Sequence, residues 1–208
     1  LIVFGISTLL FASGFLLSDF LSNKKISYVD QALSDISMQT ASLETEYALL
    51  LENPCTYTGF NKLASGLDEL GGKLVFSSDE QSLSAEKINS IKQQYFLLEV
   101  KHLLFTKKAN RECGANYTTI LYFYSDKGDC EICRAQGIVL TNIKQMNPNA
   151  MIYSFDTNLD FSLVSTLKEI YRVKTAPTLV VNEKTYEGLL DQRTVLALLK
   201  QHMDSAGS

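Results

Sequence analysis

"TTILYFYSDKGDCEICRAQGIVLTNIKQM", residues 118–146, decides the fold. Residues 118–125 are β-branched, aromatic and almost without charge, the composition of a strand buried on both faces. A short polar loop follows. Cys130 and Cys133 then open a segment in which Ala135, Ile138, Val139, Ile143 and Met146 recur at helical steps, and these are expected to face inward. The cysteine pair alone admits three readings: a redox centre, half of a metal site, or a bridge that holds a loop. A zinc site needs four ligands as a rule. No second Cys-x-x-Cys and no histidine pair accompanies this one, so no metal is expected.

Working outward, "AMIYSFDT" (150–157) reads as a second strand and "DFSLVSTLKEIYRV" (160–173) as a second helix. "TAPTLVVN" (175–182) is a third strand that begins at a proline. "KTYEG" (184–188) pairs with it across a tight Asn182-Glu183 turn, and "DQRTVLALLKQHM" (191–203) closes the chain as a helix. The order is β-α-β-α-β-β-α. Asp156 and Asn158 are expected to cap the helix after the second strand.

Strand, Cys-x-x-Cys at the head of a helix, strand, helix, and then Thr175-Ala176-Pro177-Thr178: in this order the motifs of residues 117–203 resemble the thioredoxin-like superfamily. The resemblance covers less than half of the chain. It implies the thioredoxin-like fold, a redox dithiol beside a cis-proline loop, and thiol–disulfide exchange on protein substrates. In that reading Cys130 attacks, Cys133 resolves, and Ala176 and Pro177 receive the substrate chain. No cofactor is implied, because the dithiol carries the electrons, and a redox partner in or at the membrane resets it. The physical chemistry agrees. A cysteine at a helix N-terminus meets unpaired N–H groups and the positive end of the helix dipole, which favour the attacking thiolate.

Departures from the family pattern bear on the thiol. Asp129 stands where an aromatic residue is usual, and Glu131-Ile132 replaces the common Gly-Pro, Gly-His or Pro-His. Tyr124 holds the place nearest to the buried acid of thioredoxins proper. Asp126, Asp129 and Glu131 surround the thiol with negative charge, offset in part by Lys127 and Arg134. Like charge disfavours a thiolate, so Cys130 is expected to be less acidic than the thiols of strongly oxidising members.

The other cysteines, Cys55 and Cys113, lie 58 positions apart. As a structural disulfide they would tie the junction before the first strand back to the end of the first helix, with a closure worth about 4 kcal/mol. That bridge would imply an oxidising compartment. The opposing reading is two free thiols in a cytosolic protein.

Upstream, residues 26–110 read as a small antiparallel helical domain. A first helix carries Val29, Leu33, Ile36, Leu43, Tyr47 and Leu50, with Asp30 as its cap and Asn53-Pro54 as its end. A second carries Phe60, Leu63, Leu67 and Leu70 and is expected to stop at Gly71-Gly72. A third starts near Ser84 and runs to about Lys107, with Ile88, Ile91, Tyr95, Leu98, His102 and Phe105 as its stripe. Phe96, Leu97, Val100, Leu103 and Leu104 widen that stripe, as contacts on more than one face require. His102, within it, is expected to be a packed histidine rather than a base.

Residues 1–21, "LIVFGISTLLFASGFLLSDFL", carry one charge, Asp19, and are long enough to cross a bilayer core, which takes about 20 residues. A transmembrane anchor is expected, against a signal peptide or a core helix. Lys24-Lys25 pulls the following residues toward the cytoplasm, whereas the cysteines point to an extracytoplasmic location. The domains expected are 1–22 anchor or signal segment, 23–112 helical, and 113–205 thioredoxin-like. A net charge of −4 with no basic stripe argues against nucleic acid as a partner. Two other functions stay open: a non-catalytic binding or assembly component whose cysteines are permanently bridged, and a cytoplasm-facing redox sensor.

Overall fold

Strand β1 (Thr118–Tyr124) is covered on both faces, which is why its sequence runs apolar without alternation. The computed structural model describes residue 34 and residues 37–55, 60–79, 85–128 and 130–206. Residues 1–22, the expected anchor, lie outside these, as do the expected caps Asp30 and Ser84. Among the described residues no helix is long and apolar enough to cross a membrane.

The chain is α/β. Helices α1 (37–52), α2 (Phe60–Asp79) and α3 (Ala85–Cys113) precede β1. After it come α4 (Glu131–Met146), β2 (Ala150–Asp156), α5 (Ser162–Ile170), β3 (Thr178–Val181), β4 (Lys184–Glu187) and α6 (Gln192–Ala206). The four-stranded sheet has the order β2-β1-β3-β4. β1 and β2 are parallel, with Thr118 opposite Ala150 and Tyr124 opposite Asp156. β3 runs antiparallel to β1 and to β4. Asn182 and Glu183 both take positive φ, 44° and 73°, which is what a two-residue hairpin turn requires at its centre.

Ile120 and Tyr122 project to one face of the sheet, where Leu140 and Ile143 of α4 and Val195 and Leu199 of α6 bury them. Leu121 and Phe123 project to the other face. There one continuous core joins Tyr153 and Phe155 of β2 and Leu167 of α5 to Leu43, Tyr47, Leu63, Phe96, Leu98 and Phe105 of the helical segment. The helical segment and the sheet therefore share a hydrophobic core.

Three ties give the helices their direction. Lys101 Nζ contacts Glu44 Oε1 at 2.6 Å, Lys108 Nζ donates to the Leu51 carbonyl at 2.7 Å, and Cys113 bonds to Cys55. These partners advance together, so α1 and α3 run parallel.

Three expectations need correction. α2 does not stop at Gly71-Gly72 but continues to Asp79. Gly71 is there for space: a Cβ on it would lie 2.8 Å from Tyr95 Oη of α3. α3 extends past Lys107 to Cys113. On α4 the buried residues are Cys133, Gln136, Leu140 and Ile143, while Ile138 and Met146 are each 59% exposed. The apolar residues expected inside are thus rotated partly out. Gln136 goes in because its Oε1 accepts the Leu190 N–H at 2.8 Å.

Several polar side chains inside the shared core have partners. β2 is an edge strand, and α3 covers it there: the buried Glu99 accepts the Ser154 N–H at 2.8 Å. Burial pushes the Glu99 carboxyl well above its usual range, against the pull of that bond. His102, also buried, sits with Nδ1 2.8 Å from Tyr153 Oη, and Thr106 Oγ1 is 2.9 Å from the same hydroxyl. Burial holds the His102 pKa down at about 4, so the imidazole is neutral at pH 7.

Candidate functional site

The Cys130–Cys133 pair is assembled where β1 runs out. Gly128, with φ of 75°, turns the chain in a region glycine enters freely, and Cys130 follows as the N-cap of α4. Its Sγ accepts the Cys133 N–H at 3.2 Å, filling one of the open donors at the helix start. Cys133 lies one turn in and is buried. The two form a disulfide with Cα atoms 5.2 Å apart. Tyr122, from the middle of β1, donates its hydroxyl to the Cys133 carbonyl at 2.5 Å and so fixes the first turn of α4 to the sheet.

The opposite wall is the Ala176-Pro177 segment, whose peptide bond is cis. The Ala176 carbonyl oxygen is 3.8 Å from Cys130 Sγ. The Pro177 carbonyl accepts the Gly188 N–H at 2.8 Å, and Leu190 is held by Gln136 of α4. A chain of bonds thus joins the cysteine helix to the loop facing it.

Two acidic residues at this end share one cation. Lys92, far upstream on α3, reaches Asp126 Oδ2 at 2.5 Å and Asp156 Oδ2 at 3.3 Å. Burial pulls the Lys92 pKa down, but the two carboxylates outweigh it and the net shift is upward. The phenol of Tyr124 is pushed well up, by burial first and then by Asp156, Asp126 and Glu99, so it stays protonated. Glu131 and Arg134 are exposed, and Asp129 lies outside the described residues. Asp156 does not cap α5, whose N-cap Phe161 makes no side-chain bond; its Oδ1 accepts the Asn158 N–H at 3.0 Å. Lys92 carried no signal in the sequence, because its partners lie 34 and 64 residues away.

Cys55 and Cys113 form the second disulfide, with Cα atoms 5.3 Å apart. It sits at the last residue of α3, near the start of β1 and so at the far end of the sheet from Cys130. That end also holds a cleft of about 520 Å³ bordered by Lys107, Arg111, Asn182 and Glu183. The Lys107 ammonium there is engaged by Glu183 at 2.5 Å and by the Tyr171 hydroxyl at 2.8 Å.

No protein-family model matches the chain, and no curated protein matches it. Among solved structures it is similar to chloroplastic thioredoxin z, at 17% identity and a TM-score of 0.37, over 47% of this chain and 88% of that one. It is also similar to thioredoxin O2 from Arabidopsis thaliana in its oxidized state, at 17% identity and a TM-score of 0.36, over 50% of this chain and 87% of that one. Residues 118–206 follow the order β-α-β-α-β-β-α, with a Cys-x-x-Cys disulfide at the first helix.

Proposed function

We propose that the protein is a thiol–disulfide oxidoreductase acting on protein substrates. The Cys130 thiolate attacks a substrate disulfide, forms a mixed disulfide and releases one substrate thiolate. The Cys133 thiolate then attacks the Cys130 sulfur and releases the second. Two electrons leave the dithiol, the substrate is reduced, and Cys130–Cys133 closes; run backwards, the same steps oxidise a dithiol substrate. The Ala176-Pro177 segment receives the substrate chain. The observation that carries this reading is the position of Cys130: its sulfur is the N-terminal cap of α4 and already accepts a backbone N–H, a bond that a thiolate strengthens.

In the same proposal, residues 1–22 anchor the protein and its head is extracytoplasmic. The Cys55–Cys113 bridge supports an oxidising compartment. A redox partner at the membrane is supported by the direction of α1. The first turns of α1 lie beside the part of α3 that carries Lys92, so the first described helix begins at the end of the sheet that holds Cys130.

The test is Cys133→Ser in the full chain, incubated with a disulfide-bonded protein. This variant should accumulate a mixed disulfide through Cys130 that a thiol reductant releases. If none forms while the protein stays folded, Cys130–Cys133 is a bridge and the head a binding module.

A further inference from the structure

We propose that Lys92, on the helix that covers the sheet, is a positioning residue of the redox centre: it holds the loop that delivers Cys130 and offsets the carboxylate on that loop. The inference rests on the exchange reading above.

An exposed ion pair is worth little, but this one is not fully exposed. The Lys92 side chain is 12% exposed and that of Asp156 is 7%, whereas Asp126 is 56% exposed. A lysine so enclosed needs its charge paired. One ammonium here serves two carboxylates from different elements: Asp126 on the loop after β1 and Asp156 at the end of β2. The neighbouring bonds point the same way. The Tyr124 carbonyl accepts both the N–H and the hydroxyl of Thr157, at 2.8 and 2.9 Å, and Asn158 Nδ2 donates to Ser125 Oγ at 2.7 Å. These bonds fix residues 124 and 125 to the end of β2. Lys92 extends the attachment one residue nearer to Cys130 and joins it to the helical segment.

Asp126 and Cys130 are four positions apart, which keeps their Cα atoms within about 14 Å. At that range the charge of the cluster still acts on a thiolate; the exposed Lys127, Glu131, Arg134 and Lys174 act on it too, but they are the same in every variant compared. Tyr124 adds no charge, since its phenol stays protonated. Lys92, Asp126 and Asp156 together carry −1. Without Lys92 they carry −2, and the Cys130 thiolate is disfavoured.

The experiment reads the apparent thiol pKa of Cys130 from the pH dependence of its alkylation by iodoacetamide. The reduced full chain is used in detergent micelles, with each cysteine resolved by peptide mass. Lys92→Met should raise the value by about half a unit or more. Lys92→Arg should leave it near that of the parent. Lys92→Met with Asp126→Asn restores a cluster charge of −1 and should bring the value back. Asp126→Asn alone, at an exposed position that tolerates substitution, should lower it. An unmoved pKa in Lys92→Met, or in Asp126→Asn should the first variant not fold, overturns the proposal. So does a double variant that stays as displaced as Lys92→Met. A parent protein that alkylates normally at Cys130 but exchanges with no protein disulfide sinks the exchange reading instead and leaves the Lys92 result standing.

Discussion

The two disulfides of this protein sit at opposite ends of helices. Cys130 caps the N-terminus of α4, while Cys113 is the last residue of α3. The helix dipole favours a thiolate at the first position and opposes one at the second. Loop length separates them further. Cys130–Cys133 closes a separation of 3 residues and constrains an unfolded chain little; Cys55–Cys113 closes 58, a constraint worth about 4 kcal/mol. On the proposed reading one bond sits where its sulfur attacks and leaves easily, and the other where it holds the helical segment to the start of the sheet. Placement on the fold, rather than the bond itself, divides redox chemistry from stability.

The largest effect that tests this division is on exchange. Cys130→Ser should lower disulfide exchange at least about 1,000-fold while leaving the thermal midpoint nearly unchanged. Cys55→Ser with Cys113→Ser should do the reverse, keeping exchange and costing up to about 4 kcal/mol in a denaturant titration. If the second pair proves as necessary for exchange as the first, the division fails.

Acid should then act on the helical segment. The folded His102 pKa of about 4 lies below the ordinary 6.5, so the unfolded state takes up this proton first as pH falls. The stability His102 contributes is complete above about pH 6.5 and is lost progressively toward pH 4, by up to about 3 kcal/mol. His102→Gln should flatten that part of the stability–pH curve. Glu99, raised by burial, runs the other way: its contribution is present below its unfolded pKa and is lost as pH climbs through the raised value. The smallest effect expected is at Gly71. Alanine there gains helix propensity but meets Tyr95 Oη, for a net loss of about 1 kcal/mol that Tyr95→Phe should relieve.

The Cys-x-x-Cys end was legible because its signals are local. A strand, two cysteines at a helix head, a proline before the third strand and an Asn-Glu turn each announce themselves within a few residues. What the sequence concealed is tertiary. Gly71-Gly72 looks like a helix stop until Tyr95 of another helix is seen to need the space. The inward face of α4 was misread because a bond from Leu190, 54 residues away, draws the polar Gln136 inside. Lys92 reads as one more charge on a helix until the fold brings Asp126 and Asp156 to it.

The most direct measurement is a redox titration of the full chain in detergent micelles, with both disulfides followed by mass-tagging in one sample. The account predicts a reversible two-electron midpoint for Cys130–Cys133 between about −120 and −270 mV, with Cys55–Cys113 still closed beyond about −300 mV. If Cys55–Cys113 opens first, or Cys130–Cys133 stays closed throughout, the account is contradicted.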